Sequence, residues 1–315
     1  MQWQLDFPKT QLQNSVSLDR HFLSLGSCFA EGVGNWMKDR FLSIDINPLG
    51  ICFNPISLSK QLDIFSQKIS ISNSIENNGL YLNLDAHSQF SHPHWQEHQS
   101  RLEAAISKGI SAYQSSSILI LTLGTAYAYE YKERKEMVAN CHKIPSNRFK
   151  KGLLSIEEIE SALSLSIREF LESKKDGKVI LTVSPVRHTK EGLVENNRSK
   201  ARLIEACHLL TEKIVECFYF PSYEGLIDVL RDHRFYAEDL VHPTKMAADF
   251  IAEKFAEFLF NDQSNKDLKK LEEMKKRLNH RSLFPESAAD QMRREQLQQE
   301  LQELQKRFPF LKLTI

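Results

Sequence analysis

Short apolar runs that alternate with helix-patterned segments constrain this 315-residue chain more than any other feature. Phe22 to Leu25, Phe41 to Ile46, Ile118 to Leu123 and Val179 to Val183 are brief and rich in Leu, Ile, Val and Phe, so they predict strands. Phe29 to Arg40, Leu58 to Gln67, Trp95 to Lys108, Ser155 to Lys174, Asn197 to Cys217 and Thr244 to Phe260 carry helical patterns. This alternation predicts an α/β fold, a parallel sheet covered by helices on both faces. In open sheets of that kind ligands bind outside the carboxyl ends of the strands, which directs attention to the segments that leave them.

The first such segment reads Leu25-Gly26-Ser27-Cys28-Phe29-Ala30-Glu31-Gly32. Gly26 lets the backbone turn sharply. Ser27 and Cys28 then fall at the start of a helix, where unpaired N–H groups and the positive dipole end favour a thiolate or an oxyanion. Taken alone, the same residues also describe a plain strand-to-helix turn with a buried cysteine. A matching partner lies more than two hundred residues later, in Asp239-Leu240-Val241-His242-Pro243-Thr244, just before an apolar helix. An imidazole there, steadied by a carboxylate three residues earlier, makes a general base. Seen singly, Asp239 is an ordinary helix-start acid and His242 a surface residue.

Gly26-Ser27-Cys28-Phe29-Ala30 spells the signature of the GSCFA family, and the chain resembles that family along most of its length. Asn47-Pro48-Leu49-Gly50, Asn140-Cys141-His142-Lys143, Ser184-Pro185-Val186-Arg187-His188 and Asp239 to His242 follow in the family's order. The family looks like a branch of the SGNH (GDSL-type) hydrolases. That resemblance implies a three-layer, SGNH/flavodoxin-like sheet and an esterase or acyltransferase activity on a small acyl ester of a carbohydrate or similar polar carrier, with no cofactor and no metal. Aligning Glu31-Gly32 with the end of the SGNH G-D-S-L-T-E-G block puts Cys28 on the nucleophile and Ser27 beside it. A turn that differs by one residue makes Ser27 the attacking group. A cysteine at a helix N-terminus near a histidine is expected to have a depressed pKa.

The oxyanion side departs from the SGNH pattern. Those enzymes use the nucleophile's own N–H, a glycine N–H after the second strand and an asparagine after the third. Gly50 suits the second role, but the third strand is followed by Gly124-Thr125-Ala126-Tyr127, with no asparagine. Losing one such donor costs about a hundredfold in rate or more. Thr125, Asn54 and Asn140 are candidate substitutes, each with a turn or cap role as the plainer alternative. Tyr127 and Tyr129 can wall the pocket or simply pack.

Arg187 and His188 follow the fourth strand and can reach an anionic or carbonyl group of a substrate, or lie in a solvated loop. His142 is a rival general base without an acid near it in sequence. His94 and His98 have zinc-helix spacing but lack the H-E-x-x-H glutamate, which favours a surface loop.

Forty-one basic residues balance 41 acidic ones with no basic block, so nucleic acid is not an expected partner. No run of about eighteen apolar residues predicts a membrane span, and the start from Met1 to Asp6 lacks a signal-peptide pattern. Five scattered cysteines without C-x-x-C spacing argue against a disulfide framework. A cytoplasmic protein is expected. Domain limits are expected at 1–262 for the α/β unit and 263–315 for a helical extension broken at Leu283-Phe284-Pro285-Glu286-Ser287. Leu297, Leu301, Leu304 and Phe308 there form an apolar stripe that packs on the domain or joins a second copy. The competing functional class is a non-catalytic ligand-binding or scaffold protein that keeps the pocket.

Overall fold

The computed structural model describes residues 5–8, 12, 14–280, 283–284 and 287–311. In chain order, β1 (His21–Gly26) leads into α1 (Cys28–Lys38), β2 (Ser43–Ile46), α2 (Pro55–Phe65) and a hairpin of β3 (Ser74–Asn77) and β4 (Leu80–Asn83). Next come α3 (Trp95–Ser115), β5 (Ile118–Leu123), the short strands β6 (Tyr127–Tyr131), β7 (Glu136–Val138) and β8 (Phe149–Leu153), and α4 (Ile156–Glu172). Then β9 (Lys178–Val183), α5 (Leu193–Lys213), β10 (Cys217–Phe220) and a single turn α6 (Ser222–Glu224) lead to α7 (Lys245–Leu259), α8 (Asp262–Asn279) and α9 (Ala288–Arg307).

The main sheet has the order β10-β9-β5-β1-β2, and its strand pairs are all parallel. Counting only these five strands along the chain, the order is 2-1-3-4-5, a doubly wound sheet whose direction reverses between β1 and β5. Alternation along each strand divides the core between two faces. Leu23, Leu25, Leu119, Leu121 and Leu181 pack with Leu58, Leu62, Leu102, Ile159 and Leu203 of α2, α3, α4 and α5. Phe22, Ile44, Ile120 and Ile180 pack with Phe29 and Met37 of α1, Ile251 and Phe255 of α7, and Leu268 and Leu271 of α8. The expected α/β, three-layer sheet flanked by helices is therefore present, with helices at its C-terminal end.

Two features depart from the sequence expectation. A fifth sheet strand, β10, occupies Cys217 to Phe220, and the preceding helix ends at Lys213 rather than Cys217. Its four residues adjoin the helix without a glycine or proline, so only pairing with β9 defines them. The second is the antiparallel sheet β7-β6-β8, together with the hairpin β3-β4. These strands mix Tyr, Lys, Glu and Asn with apolar residues and carry no clean two-residue period.

The C-terminal helices fold back. Asn261 caps α8, which starts at Asp262. Leu297 and Leu301 of α9 bury against Met274, and Phe308 and Leu311 join the α1/α7 core. Arg40 to Glu272 and Arg307 to Asp267, both 2.6 Å, tie the extension to the turn after α1 and to itself. Met1 to Gln4, and Pro285 and Glu286 of the expected helix break, lie outside the described residues. Among the described residues no helix is long and apolar enough to cross a membrane.

Candidate active site

The β1 exit is shaped by Gly26, whose φ of +141° is open to glycine and whose position a side chain could not share. A Cβ there would meet the Thr122 carbonyl oxygen of β5 at 2.2 Å. The Gly26 N–H donates to Asn47 Oδ1 at 2.8 Å, the Ser27 N–H to Thr122 O at 3.1 Å, and the Cys52 N–H to Gly26 O at 3.0 Å. The turn is thus tied to both neighbouring strands at the point where the sheet reverses. Ser27 is the N-cap of α1: its buried Oγ accepts the Phe29 N–H at 3.3 Å. Cys28 is the first helical residue and only half-buried. The two candidate nucleophiles are therefore unequal, with the hydroxyl buried and turned back on its helix and Cys28 only half-buried.

The expected depression of the Cys28 pKa is not met. Burial pushes the thiol up, Glu31 adds to this, and the Phe29 and Cys28 N–H groups and the Lys200 charge oppose it. Desolvation outweighs the helix terminus here because the sulfur lies partly inside the fold.

His242 and Asp239 form a local pair in the loop before α7. The His242 Nδ1–H donates to Asp239 Oδ2 at 2.7 Å, and Asp239 Oδ1 accepts the Val241 and His242 N–H groups, both at 2.9 Å. These bonds, first the His242 backbone N–H and then its ring, hold Asp239 down at about 2. Because a carboxylate faces Nδ1, that nitrogen carries the proton and Nε2 presents a lone pair. Nε2 has no partner among the described residues, and the side chain is 51% exposed. Arg187, leaving β9, places its guanidinium 5.8 Å from the Tyr236 ring, and Tyr236 bridges to Pro243, so the His242 loop borders the β9 exit. No hydrogen bond joins Cys28 to His242 in this arrangement.

The remaining candidates carry varied commitments. Gly50, at φ +83° and packed on His87, donates its N–H to Asn47 O at 2.7 Å, so an oxyanion there has to compete with the turn. Asn54 caps α2 through the Ser57 N–H at 2.9 Å. Thr125 Oγ1 accepts the Tyr127 N–H at 3.0 Å and touches Ser199 Oγ at 3.1 Å and His188 Nε2 at 3.3 Å. Burial lowers the His188 pKa, and Lys200 lowers it further. Asn140 Oδ1 accepts the His142 N–H at 2.8 Å, and Asn140 lines a cleft of about 590 Å³ together with Phe53, Tyr129 and Lys151. His142 donates Nε2–H to Asn83 O at 2.7 Å, and its Nδ1 is buried with no partner among the described residues. His98 commits both ring nitrogens, to Phe90 O and Ser74 Oγ at 2.9 Å each. No cluster of three or more His, Cys, Asp or Glu among the described residues is placed to hold a metal.

Sequence reasoning missed Lys200. It is 1% exposed, and its Nζ donates to Gly124 O at 2.6 Å and Ser184 O at 2.7 Å, joining the β5 and β9 exits. Asn196 and Ser199 on the same helix hold the His188 and Ala126 N–H groups at 3.1 and 2.8 Å. The signal was present: Asn196, Lys200, Leu203, Cys207 and Leu210 follow spacings of four, three, four and three on one buried face of α5. Polar groups on such a stripe need partners, which only the fold reveals.

Fold and edge together define an open α/β protein with a half-buried cysteine at its switch point and a carboxylate-held imidazole in the loop bordering the β9 exit. The chain matches the model of the GSCFA family over residues 21–255 and belongs to that family. No curated protein matches the chain.

Proposed function

We propose that this protein is an SGNH-like esterase or acyltransferase, acting in the cytoplasm on a small acyl ester of a carbohydrate or similar polar carrier. The observation that carries this reading is the half-buried Cys28 at the start of α1, with the His242–Asp239 pair in a loop that borders the β9 exit of the same sheet. Cys28 Sγ attacks the ester carbonyl, forming an S–C bond as the carbonyl π pair moves to oxygen. Collapse of that tetrahedral species breaks the C–O bond, and His242 Nε2 delivers to the leaving alkoxide the proton that left the thiol. Water or an acceptor hydroxyl then attacks the thioester with His242 as base, and the thiol is restored. Asp239 keeps the His242 ring in the tautomer this requires. The N–H groups at the start of α1 favour negative charge beside the sulfur. The cleft lined by Phe53, Tyr129, Asn140 and Lys151 offers a polar carrier both ring faces and hydrogen-bonding groups.

Hydrolysis of p-nitrophenyl acetate by three variants tests the reading. Cys28→Ala and His242→Ala are each expected to lose about a hundredfold or more in turnover. Ser27→Ala should keep turnover and lose about 1 kcal/mol of stability, as a removed N-cap does. Equal turnover in all three variants rules out this triad. A loss confined to Ser27→Ala transfers the attack to the hydroxyl.

A further inference from the structure

The cleft of about 590 Å³ lies between the small antiparallel sheet and loops that leave the main sheet. One wall is a face of the small sheet, where Tyr129 of β6 and Lys151 of β8 are cross-strand partners and share a side. Opposite them is Phe53, between β2 and α2, whose carbonyl oxygen accepts the Gly124 and Thr125 N–H groups at 2.8 and 3.1 Å. The N–H of its neighbour Cys52 donates to Gly26 O, so this wall starts at the turn that carries Cys28. Lysines supply the charge. Among the described residues Lys143, Lys151 and Lys190 line the cleft against one carboxylate, Glu191, in a chain whose formal charges balance overall.

Lys151 is fixed in its wall. Its Nζ lies 4.2 Å from the Tyr127 ring centroid and 5.6 Å from that of Tyr129, and it pairs with Glu191. Glu191 Oε2 lies 3.4 Å from His188 Nδ1, and His188 Nε2 lies 3.3 Å from Thr125 Oγ1, which anchors the pair to the β9 and β5 exits. Lys143 and Lys190 are exposed, and neither has a carboxylate partner among the described residues. The backbone is strained to present Lys143: it and His142 stand at φ +59° and +48°, a region that side chains disfavour. Asn140 Oδ1 and Asn83 O hold that turn by accepting the His142 backbone and ring N–H groups at 2.8 and 2.7 Å. A lysine that only meets solvent needs no such support. We propose that this cleft binds the anionic group, a phosphate or a carboxylate, of a sugar-sized ligand, with Lys143, Lys151 and Lys190 as its cationic contacts and Phe53 and Tyr129 as its ring-stacking walls. Ammonium groups bond such anions strongly because donor and acceptor are both charged, and the volume is that of a small-molecule site. The proposal rests on the esterase reading only in calling this ligand the carrier of the acyl group; binding itself needs no catalysis.

Calorimetric titration of the full chain with glucose 6-phosphate, glucuronate and glucose tests the charge directly. At least one anion should bind about tenfold or more tightly than glucose, which shares the ring without the charge. The tighter anion identifies phosphate or carboxylate as the recognised group. Lys143→Ala and Lys190→Ala should each weaken that anion about tenfold and leave glucose unchanged. Lys276→Ala on α8, outside the cleft, should change none of the three affinities. The proposal is overturned if glucose binds as tightly as both anions, or if no probe binds at millimolar concentration. It is equally overturned if neither cleft variant weakens the anion, or if all three lysine variants weaken it alike. Cys28→Ala should bind the anion as the wild type does. Lysine-dependent anion binding in a protein that hydrolyses no ester keeps the cleft and sinks the esterase, whereas Cys28-dependent turnover with no preference for charge does the reverse.

Discussion

Lys200 loses its hydration on folding and receives two carbonyl oxygens in return, so its charged form is held less firmly than in water. Its pKa falls from 10.5 to about 7. The sign of the resulting pH dependence follows from proton counting. Between about pH 7 and pH 10.5 the unfolded chain binds a proton at this lysine that the native protein does not, so stability rises with pH across that window. Below about 7 both states are protonated and the contribution is flat. Urea melts of the wild type and Lys200→Met at one-unit intervals should therefore diverge, with the wild type gaining relative stability as pH rises. A difference that stays constant would mean that the native lysine keeps its charge throughout. This residue was legible only as an anomaly, an ammonium on the apolar stripe of α5. Cys28 and His242, by contrast, were visible as chemistry in their own short motifs, although the thiol's raised pKa was not, since it depends on how deeply the fold encloses the sulfur.

At the scale of elements, the strand–turn–helix unit from β1 to α1 does most to place the candidate site. Gly26 is its fulcrum. Gly26→Ala sets a methyl group 2.2 Å from the Thr122 carbonyl oxygen in a backbone conformation that side chains rarely adopt. β1 and β5 would have to separate, which should cost about 3 kcal/mol or more in denaturant melts. A loss below about 1 kcal/mol would show that the β1–β5 contact gives way easily. The glycine, the small residues after it and the helix that follows were readable because turns and helix starts obey local rules. β10 was not readable for the opposite reason. Cys217-Phe218-Tyr219-Phe220 becomes a strand by hydrogen bonding to β9, a partner almost forty residues earlier. The β6–β8 sheet escaped similarly, because mixed polar strands take their conformation from neighbours more than from their own pattern.

Across the whole molecule, the C-terminal helices are held by two kinds of contact. α8 buries Leu268 and Leu271 in the main core, while α9 rests on α8 through Met274, Leu297 and Leu301. The small second cluster should open more readily than the sheet. Leu301→Ala, worth about 2 kcal/mol or more if fully felt, is expected to speed amide exchange along α9 and leave the β5 amides unchanged. Uniform acceleration of both would show instead that the extension and sheet unfold as one unit.

The sequence by itself determined the α/β alternation, the thiol at a strand exit and the acid–imidazole pair. Each of these is written in residues a few positions apart, and short-range sterics and hydrogen bonding are enough to interpret them. Only the tertiary structure decided that Ser27 caps while Cys28 is half-buried, that Gly50 spends its N–H on a turn, and that a lysine from α5 lies between two strand exits. Those outcomes depend on desolvation and on contacts between segments that meet only when the sheet assembles.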